Sequence, residues 1–406
     1  MSCEPLSLYL HIPFCSLKCS YCDFNSYAGL EALVRPYVDA LIAEMGLWRD
    51  AVRGRQIATV YFGGGTPSLL PLQEIERIMT ALRDAVLLDS PTEVTLEANP
   101  DTVNPAHLRG LLGLGVNRLS LGIQSFHNDE LAILDRIHTS QEAKESYLWA
   151  REAGFQRVNL DLIYGLPVLS EAEGPEQPPE RWQATLEQAI ELGPEHLSLY
   201  ALTVEEGTRL AYDVAHGRVP EPDPDAQAAI YEWSSERLAR ASYQQYEISN
   251  WSRPAEECRH NLTYWRNGEW LGLGAGAHSH FRGFRFANVY SPRQYIRRVQ
   301  ETAQRGVPTA ANTRAILKAM RQVAYGEEQT PELAMADTAI LALRLNDGIS
   351  PADFRRRFGR ELEDVYGPAL DELSGLGLIE RYDGRIRLTA RGRLLANEVF
   401  VRLLPE

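Results

Sequence analysis

Lysine is nearly absent from this 406-residue chain: Lys18, Lys144 and Lys318 are the only three, and arginine supplies the rest of its 41 basic side chains. Basic charge is short overall, because 55 Asp and Glu bring the formal net charge to −14. That balance argues against a nucleic-acid partner, which needs a basic surface to meet phosphate. Long hydrophobic runs are missing as well, none approaching the roughly 18 apolar residues of a membrane span. The opening residues MSCEPLSLYLHIPFC place no basic segment before their apolar stretch, so the expectation is a cytoplasmic protein without a secretory leader. Cysteine is scarce: Cys3, Cys15, Cys19, Cys22 and Cys258. An odd set with three members inside eight residues is no disulfide framework and points to metal ligation or redox chemistry.

What is present is ordinary globular composition, 44% hydrophobic and 24% charged, in a length that suggests two or three domains. Six short apolar, β-branched runs occur at 6–12, 57–62, 93–98, 118–123, 157–164 and 196–202, alternating with helix-like stretches such as 37–48, 72–86, 140–154 and 181–193. Near-continuous apolar strands separated by amphipathic helices predict an α/β fold with a parallel sheet, doubly wound or curled into a barrel. Polar residues decide between the two. Glu97, Gln124 and Asp161 each fall at or near the C-terminal end of a strand, and Gly63, Gly64 and Gly65 follow the second strand, so they converge on one rim, as in a barrel. A single such residue would more simply cap a helix or satisfy a buried backbone group; three in register favour a site.

Residues 168–180 are rich in Pro, Glu and Gly without periodicity and read as an acidic surface loop. Beyond residue 215 the alternation fades into a helix at 222–241 and an aromatic-rich segment at 246–281. From residue 331, three helical segments, two short strands around Asp383-Gly384 and a closing helix predict a winged helix. This last unit carries 11 Arg against 13 Asp and Glu, so packing or docking suits it better than DNA binding, and FRRRFGR reads as a solvated helix face. The division expected is a barrel at 1–215, an extension at 216–310 and a winged helix at 311–406.

Chemistry centres on Cys15, Cys19 and Cys22, a CxxxCxxC loop directly after the first strand. Three thiolates on one loop suit an iron-sulfur cubane, holding three irons and leaving the fourth open; zinc is the alternative. CxxxCxxC, then YFGGGTP after the second strand, then polar strand ends, together resemble the radical S-adenosylmethionine (SAM) superfamily, which implies a partial (β/α)6 barrel of the TIM type, a [4Fe–4S] cluster and SAM. LYLHIPFC, FGGGTPSLL, LEANPD, GVNRLSLGIQSF, DLIYGLP and the C-terminal unit narrow the resemblance to its HemN/HemW branch, which contains the oxygen-independent coproporphyrinogen III dehydrogenases and the haem chaperones. The resemblance implies that Tyr9, Tyr21, Gly64, Gly65, Thr66, Glu97, Gln124, Arg136 and Asp161 line the SAM site. Arg136 suits a carboxylate, Asp161 the ribose hydroxyls and Tyr21 the adenine ring.

Two details separate the branches. The dehydrogenase pattern continues as CxxxCxxCxC, whereas Cys22 is followed here by Asp23 and Phe24. In addition, His260-Asn261-Leu262-Thr263-Tyr264-Trp265 matches the HNxxYW motif of the haem chaperones. That match implies His260 as an axial ligand of haem iron, with Asn261, Tyr264 and Trp265 around it and His278, His280 and Cys258 as rivals; a packed, hydrogen-bonded histidine is the plainer alternative. The expected partners are haem and a haem-acceptor protein, with passing contact to a membrane protein compatible and nucleic acid not expected. A coproporphyrinogen dehydrogenase is the main alternative, and a winged-helix redox regulator is disfavoured by the acidic balance.

Overall fold

The computed structural model describes residues 5–86, 92–167, 179–308 and 312–405; the acidic segment anticipated at 168–180 and Cys3 lie almost wholly outside that set. Six strands form the parallel barrel sheet: β1 (Leu6–Ile12), β2 (Ile57–Gly64), β3 (Glu93–Ala98), β4 (Arg118–Gln124), β5 (Arg157–Tyr164) and β6 (His196–Ala201). Each pairs in parallel with the next, so the wall runs in chain order. Continuous burial along these strands explains their unbroken apolar character: helices cover the outer face, and inner side chains fill the barrel. Crossover helices at Val34–Val52, Leu72–Ala85, Pro105–Leu114, Ser140–Ala153 and Pro179–Leu192 return the chain each time. The third begins where Asn104 accepts from the His107 amide and Pro105 supplies a preset first turn. The fold is thus the partial α/β barrel that the sequence indicates.

The extension does not build a separate core; it lengthens the barrel wall at both edges. On one side β9 (Trp270–Leu273) pairs in parallel with β1, followed by antiparallel β10 (His278–Phe281), β11 (Phe284–Asn288) and β12 (Val323–Glu328). On the other, β8 (Asn250–Ser252) pairs with β6 and β7 (Gln244–Glu247) with β8. Because β12 remains in this sheet, the second hydrophobic core starts only at Met335 and runs to Leu403. It gathers helices Pro331–Leu343, Pro351–Phe358 and Leu362–Gly375 with the hairpin β13 (Ile379–Tyr382) and β14 (Arg385–Leu388). Asp383 and Gly384 at its tip have φ of 47° and 70°, the left-handed pair of a tight hairpin turn. In FRRRFGR, Arg355 and Arg356 are solvated, while Arg357 donates to the Asn267 carbonyl at 2.9 Å and ties this unit to the extension. Among the described residues no helix is long and apolar enough to cross a membrane.

Candidate functional site

The C-terminal ends of the strands open into a cavity of about 380 Å³. Cys15, Cys19, Cys22, Tyr21, Gly64, Gly65, Thr66, Glu97, Gln124, Arg136 and Asp161 all line it, so one rim collects them as the sequence predicts. The cysteine loop leaves β1 at Ile12 and is clamped against the glycine segment: Gly65 donates its amide to the Ile12 carbonyl and Thr66 to that of Phe14, both at 2.8 Å. A Cβ on Gly65 would stand 2.7 Å from the Phe14 carbonyl oxygen, and Gly64, at φ 115°, would press one 2.4 Å from the His11 ring. Glycine is required for the backbone to come this close. Gln124 also sits in the left-handed region, at φ 67°, just past a bulge after Gly122 that shifts the register of β4 on β5 before Gln124 pairs with Leu162.

Polar contacts bind the rim into one unit. Thr66 donates to Cys15 Sγ at 3.6 Å and accepts from Asn99 Nδ2 at 3.1 Å. Arg136 donates to Asn99 Oδ1 at 2.6 Å, to the Gly122 carbonyl at 3.0 Å and to Cys19 Sγ at 3.5 Å. Glu97 accepts from the Tyr61 hydroxyl at 2.8 Å and from the Gly64 amide at 3.0 Å. Burial pushes its carboxyl up to about 7, against the pull of the Tyr61 hydrogen bond. Asp161 accepts from Ser120 and Asn159, each at 3.0 Å, and is likewise raised by burial. Burial raises the Cys15 and Cys22 thiols too. Tyr9 is not among the lining residues: it lies one layer deeper, stacked on Tyr61 at 6.3 Å with its hydroxyl 2.9 Å from His11 Nδ1.

The opposite end of the barrel is closed by the helix Arg259–Trp265. Its N-terminal amides donate to Glu93, from Arg259 at 3.2 Å and from His260 at 3.1 Å, and Thr263 meets Ser7 at 2.9 Å. Ser7, Thr59 and Glu93 are register partners near the N-terminal ends of β1, β2 and β3, so this helix seats against the floor. His260, the residue expected to ligate haem iron, lies inside this floor with both ring nitrogens hydrogen-bonded. Its Nδ1 lies 2.6 Å from Thr59 Oγ1 and its Nε2 2.8 Å from the Tyr264 hydroxyl, and burial lowers its pKa to about 3. Asn261 hydrogen-bonds Tyr246, while Trp265 faces the C-terminal unit, with the Arg344 guanidinium 4.5 Å from its ring. Of the rivals, His278 is exposed, with Nδ1 3.2 Å from the Tyr325 hydroxyl. His280 is buried against the Gly268 carbonyl at 3.0 Å, and the buried Cys258 thiol is pushed up to about 11.

Comparison with known proteins bears on both ends. Residues 9–176 match the Radical SAM superfamily and residues 329–395 the HemN C-terminal domain. The haem chaperone HemW of Mycobacterium tuberculosis is 36% identical across 99% of this chain and 95% of its own length. That of Escherichia coli K12 is 36% identical across 99% of both chains. The chain belongs to the HemW family of the radical SAM superfamily. Among solved structures, the coproporphyrinogen III oxidase HemN of Escherichia coli, a radical SAM enzyme, superposes with a TM-score of 0.81 at 26% identity, covering 98% of this chain and 90% of its own.

The rim fits the cluster and SAM that this family implies. No group of three His, Cys, Asp or Glu among the described residues converges on one point where a single ion could sit. Thiols spread along a loop suit a cubane, which places each thiolate on a separate iron, better than one zinc ion. Arg136, in the cavity wall, keeps its buried Nε–H without a partner, a donor set for an incoming carboxylate. The sequence reading of this HemW-family chain missed Tyr61 and Asn99. Asn99 follows Glu97 within LEANPD, and Tyr61 lies between Thr59 and Gly63 on the alternation that points into the barrel, so both carried a signal.

Proposed function

We propose that this chain is a haem chaperone: it holds a [4Fe–4S] cluster on Cys15, Cys19 and Cys22, seats SAM across the same cavity, and carries haem to an acceptor protein. The observation that carries the reading is the convergence of three thiols, the Gly64–Thr66 segment and Glu97 on one cavity, in a chain whose full-length relatives are named haem chaperones. Bound there, the cluster supplies an open iron for the amino and carboxylate groups of SAM. Glu97 accepts from the ammonium while Arg136 pairs with the carboxylate through its free Nε–H. Tyr21 packs against the adenine, and Asp161 and Gln124 hold the ribose. A reducing cytoplasm keeps the three thiols ready for iron.

The likeness to HemN supports a second reading, oxygen-independent coproporphyrinogen III dehydrogenation. Against it, Phe24 stands where the dehydrogenase pattern has its further cysteine, and its ring is 65% exposed beside the cavity. Anaerobic reconstitution followed by haem titration in the Soret band, alongside an assay for protoporphyrinogen formation, separates carrier from catalyst. The chaperone reading requires a saturable Soret shift and no product; coproporphyrinogen consumption with SAM cleavage overturns it.

A further inference from the structure

The floor helix has no part in the reading above, yet it reaches the SAM seat through one side chain. Three rings cluster beneath the rim: Tyr61 stacks on Tyr9 at 6.3 Å and 27° and on His260 at 5.0 Å and 28°, and Tyr9 and His260 lie 6.4 Å apart. The Tyr61 hydroxyl donates to Glu97 Oε1 at 2.8 Å. The His260 ring is itself fixed on both sides, by Thr59 Oγ1 at Nδ1 and the Tyr264 hydroxyl at Nε2, and its backbone amide donates to Glu93. Thr59 and Tyr61 share one strand face, so His260 is bonded to one position of β2 and stacked on the next position of that face.

We infer that His260 is a positioning residue for the SAM site, holding Tyr61 so that its hydroxyl orients Glu97, and that it is not an axial ligand of haem iron. The inference rests on the proposed seat of SAM at Glu97. Ligation needs a free nitrogen lone pair, and both ring nitrogens are spent within the floor. The His260 side chain is also only 1% exposed, packed against the Tyr61 and Tyr264 rings, which leaves no open path for a porphyrin iron to its nitrogens. Truncating the His260 side chain would leave one face of Tyr61 unsupported. Glu97 would then keep the Gly64 amide but lose the aim of its second donor.

The test compares Tyr61→Phe, His260→Gln and Glu97→Gln on reconstituted full-length protein. SAM affinity is measured by equilibrium dialysis across pH, and haem affinity by Soret titration. Beside Tyr61, the charged groups facing Glu97 are Asp161 on β5 and Arg118 on β4, and all three variants leave them in place. In the wild type, SAM should bind more tightly as pH rises through about 7, where Glu97 gives up its proton. Tyr61→Phe keeps the stack but removes the donor, so SAM should bind about tenfold more weakly and the pH midpoint should move upward. A merely structural loss would leave that midpoint unmoved. His260→Gln should shift both in the same direction with haem affinity and Soret position unchanged. Loss of the Soret band in His260→Gln with SAM binding intact overturns the inference. So does an unchanged Tyr61→Phe beside a crippled Glu97→Gln; an unchanged Glu97→Gln removes the SAM seat itself and the inference with it.

Discussion

The two ends of one barrel have opposite construction. At the rim, backbone is forced into the left-handed region at Gly64 and Gln124, a buried guanidinium nitrogen has no partner, and carboxyls are raised toward neutrality. At the floor, His260, His196, Asn159 and Glu93 are each met by named hydrogen-bond partners, and the histidines are held neutral. The unpartnered Arg136 nitrogen and the left-handed Gly64 and Gln124 all face one cavity, whereas these four floor groups are paired within the fold; orphaned buried atoms elsewhere, such as Thr95 Oγ1 and Ser252 Oγ, adjoin no such cavity. The contrast extends the usual reading of strand C-termini as the working face of a barrel.

The largest effect that sharpens this contrast uses one residue type at both ends. Cys15→Ala, Cys19→Ala and Cys22→Ala should each abolish cluster iron after reconstitution, while Cys258→Ala at the floor should leave iron and sulfide at wild-type levels. Equal loss from Cys258→Ala would erase the distinction.

Next in size is acid sensitivity, where the ends work in opposite directions. His260, at about 3, and His196, lowered well below 6.5, are neutral in the fold, and the unfolded chain protonates first. Stability from the floor should therefore fall as pH drops from 6.5, by up to about 1.4 kcal/mol per pH unit for each histidine. Glu97 is raised from 4.5 to about 7, so the fold favours its protonated form and the rim loses stability as pH rises through that window. Urea melts from pH 4 to 8 should show His196→Gln flattening the acid limb and Glu97→Gln stabilising the SAM-free protein at pH 7 and above. Reversed assignments would break the comparison.

Backbone substitutions give smaller differences. Gly64→Ala should cost on the order of 3 kcal/mol in chemical melts, since its Cβ adds a clash with the His11 ring to an unfavourable φ. Gly384→Ala, at φ 70° in the C-terminal hairpin with nothing near its Cβ, should cost only about 1 kcal/mol and leave SAM binding untouched.

Much of the rim was legible because strand alternation and chain order alone bring Glu97, Gln124 and Asp161 to one end once a parallel barrel is inferred. The six strands were legible for the same reason: runs such as RVNLDLIY are buried on both faces and carry no ambiguity of period. Depth was not legible. HNxxYW names a spacing on a helix, and nothing in that spacing says whether His260 faces solvent, a cavity or the underside of Tyr61. Nor could local pattern show that strands 270–273, 278–281, 284–288 and 323–328 extend the barrel wall beside β1, since the pairing that attaches them, Ser7 with Trp270, joins residues 263 positions apart. The depth of Tyr9 was hidden for a related reason: its place on β1 was legible, but not that it stacks on Tyr61 one layer below the cavity lining.

The clamping of the cysteine loop fixes an order of assembly. Besides the contacts to its sulfurs, the loop has anchors that involve none: Gly65 and Thr66 amides on Ile12 and Phe14, Tyr27 on Pro13, Leu210 on Ser20, and the Asn25 side chain on Ala275 and Tyr290. Small zinc domains stay unfolded until metal arrives because the ligand bonds are the fold. This loop gets its shape from neighbouring peptide groups, so the polypeptide can finish folding first and be metallated afterwards. Shortage of iron would then leave a pool of intact protein awaiting its cluster, in place of misfolded chains bound for proteolysis.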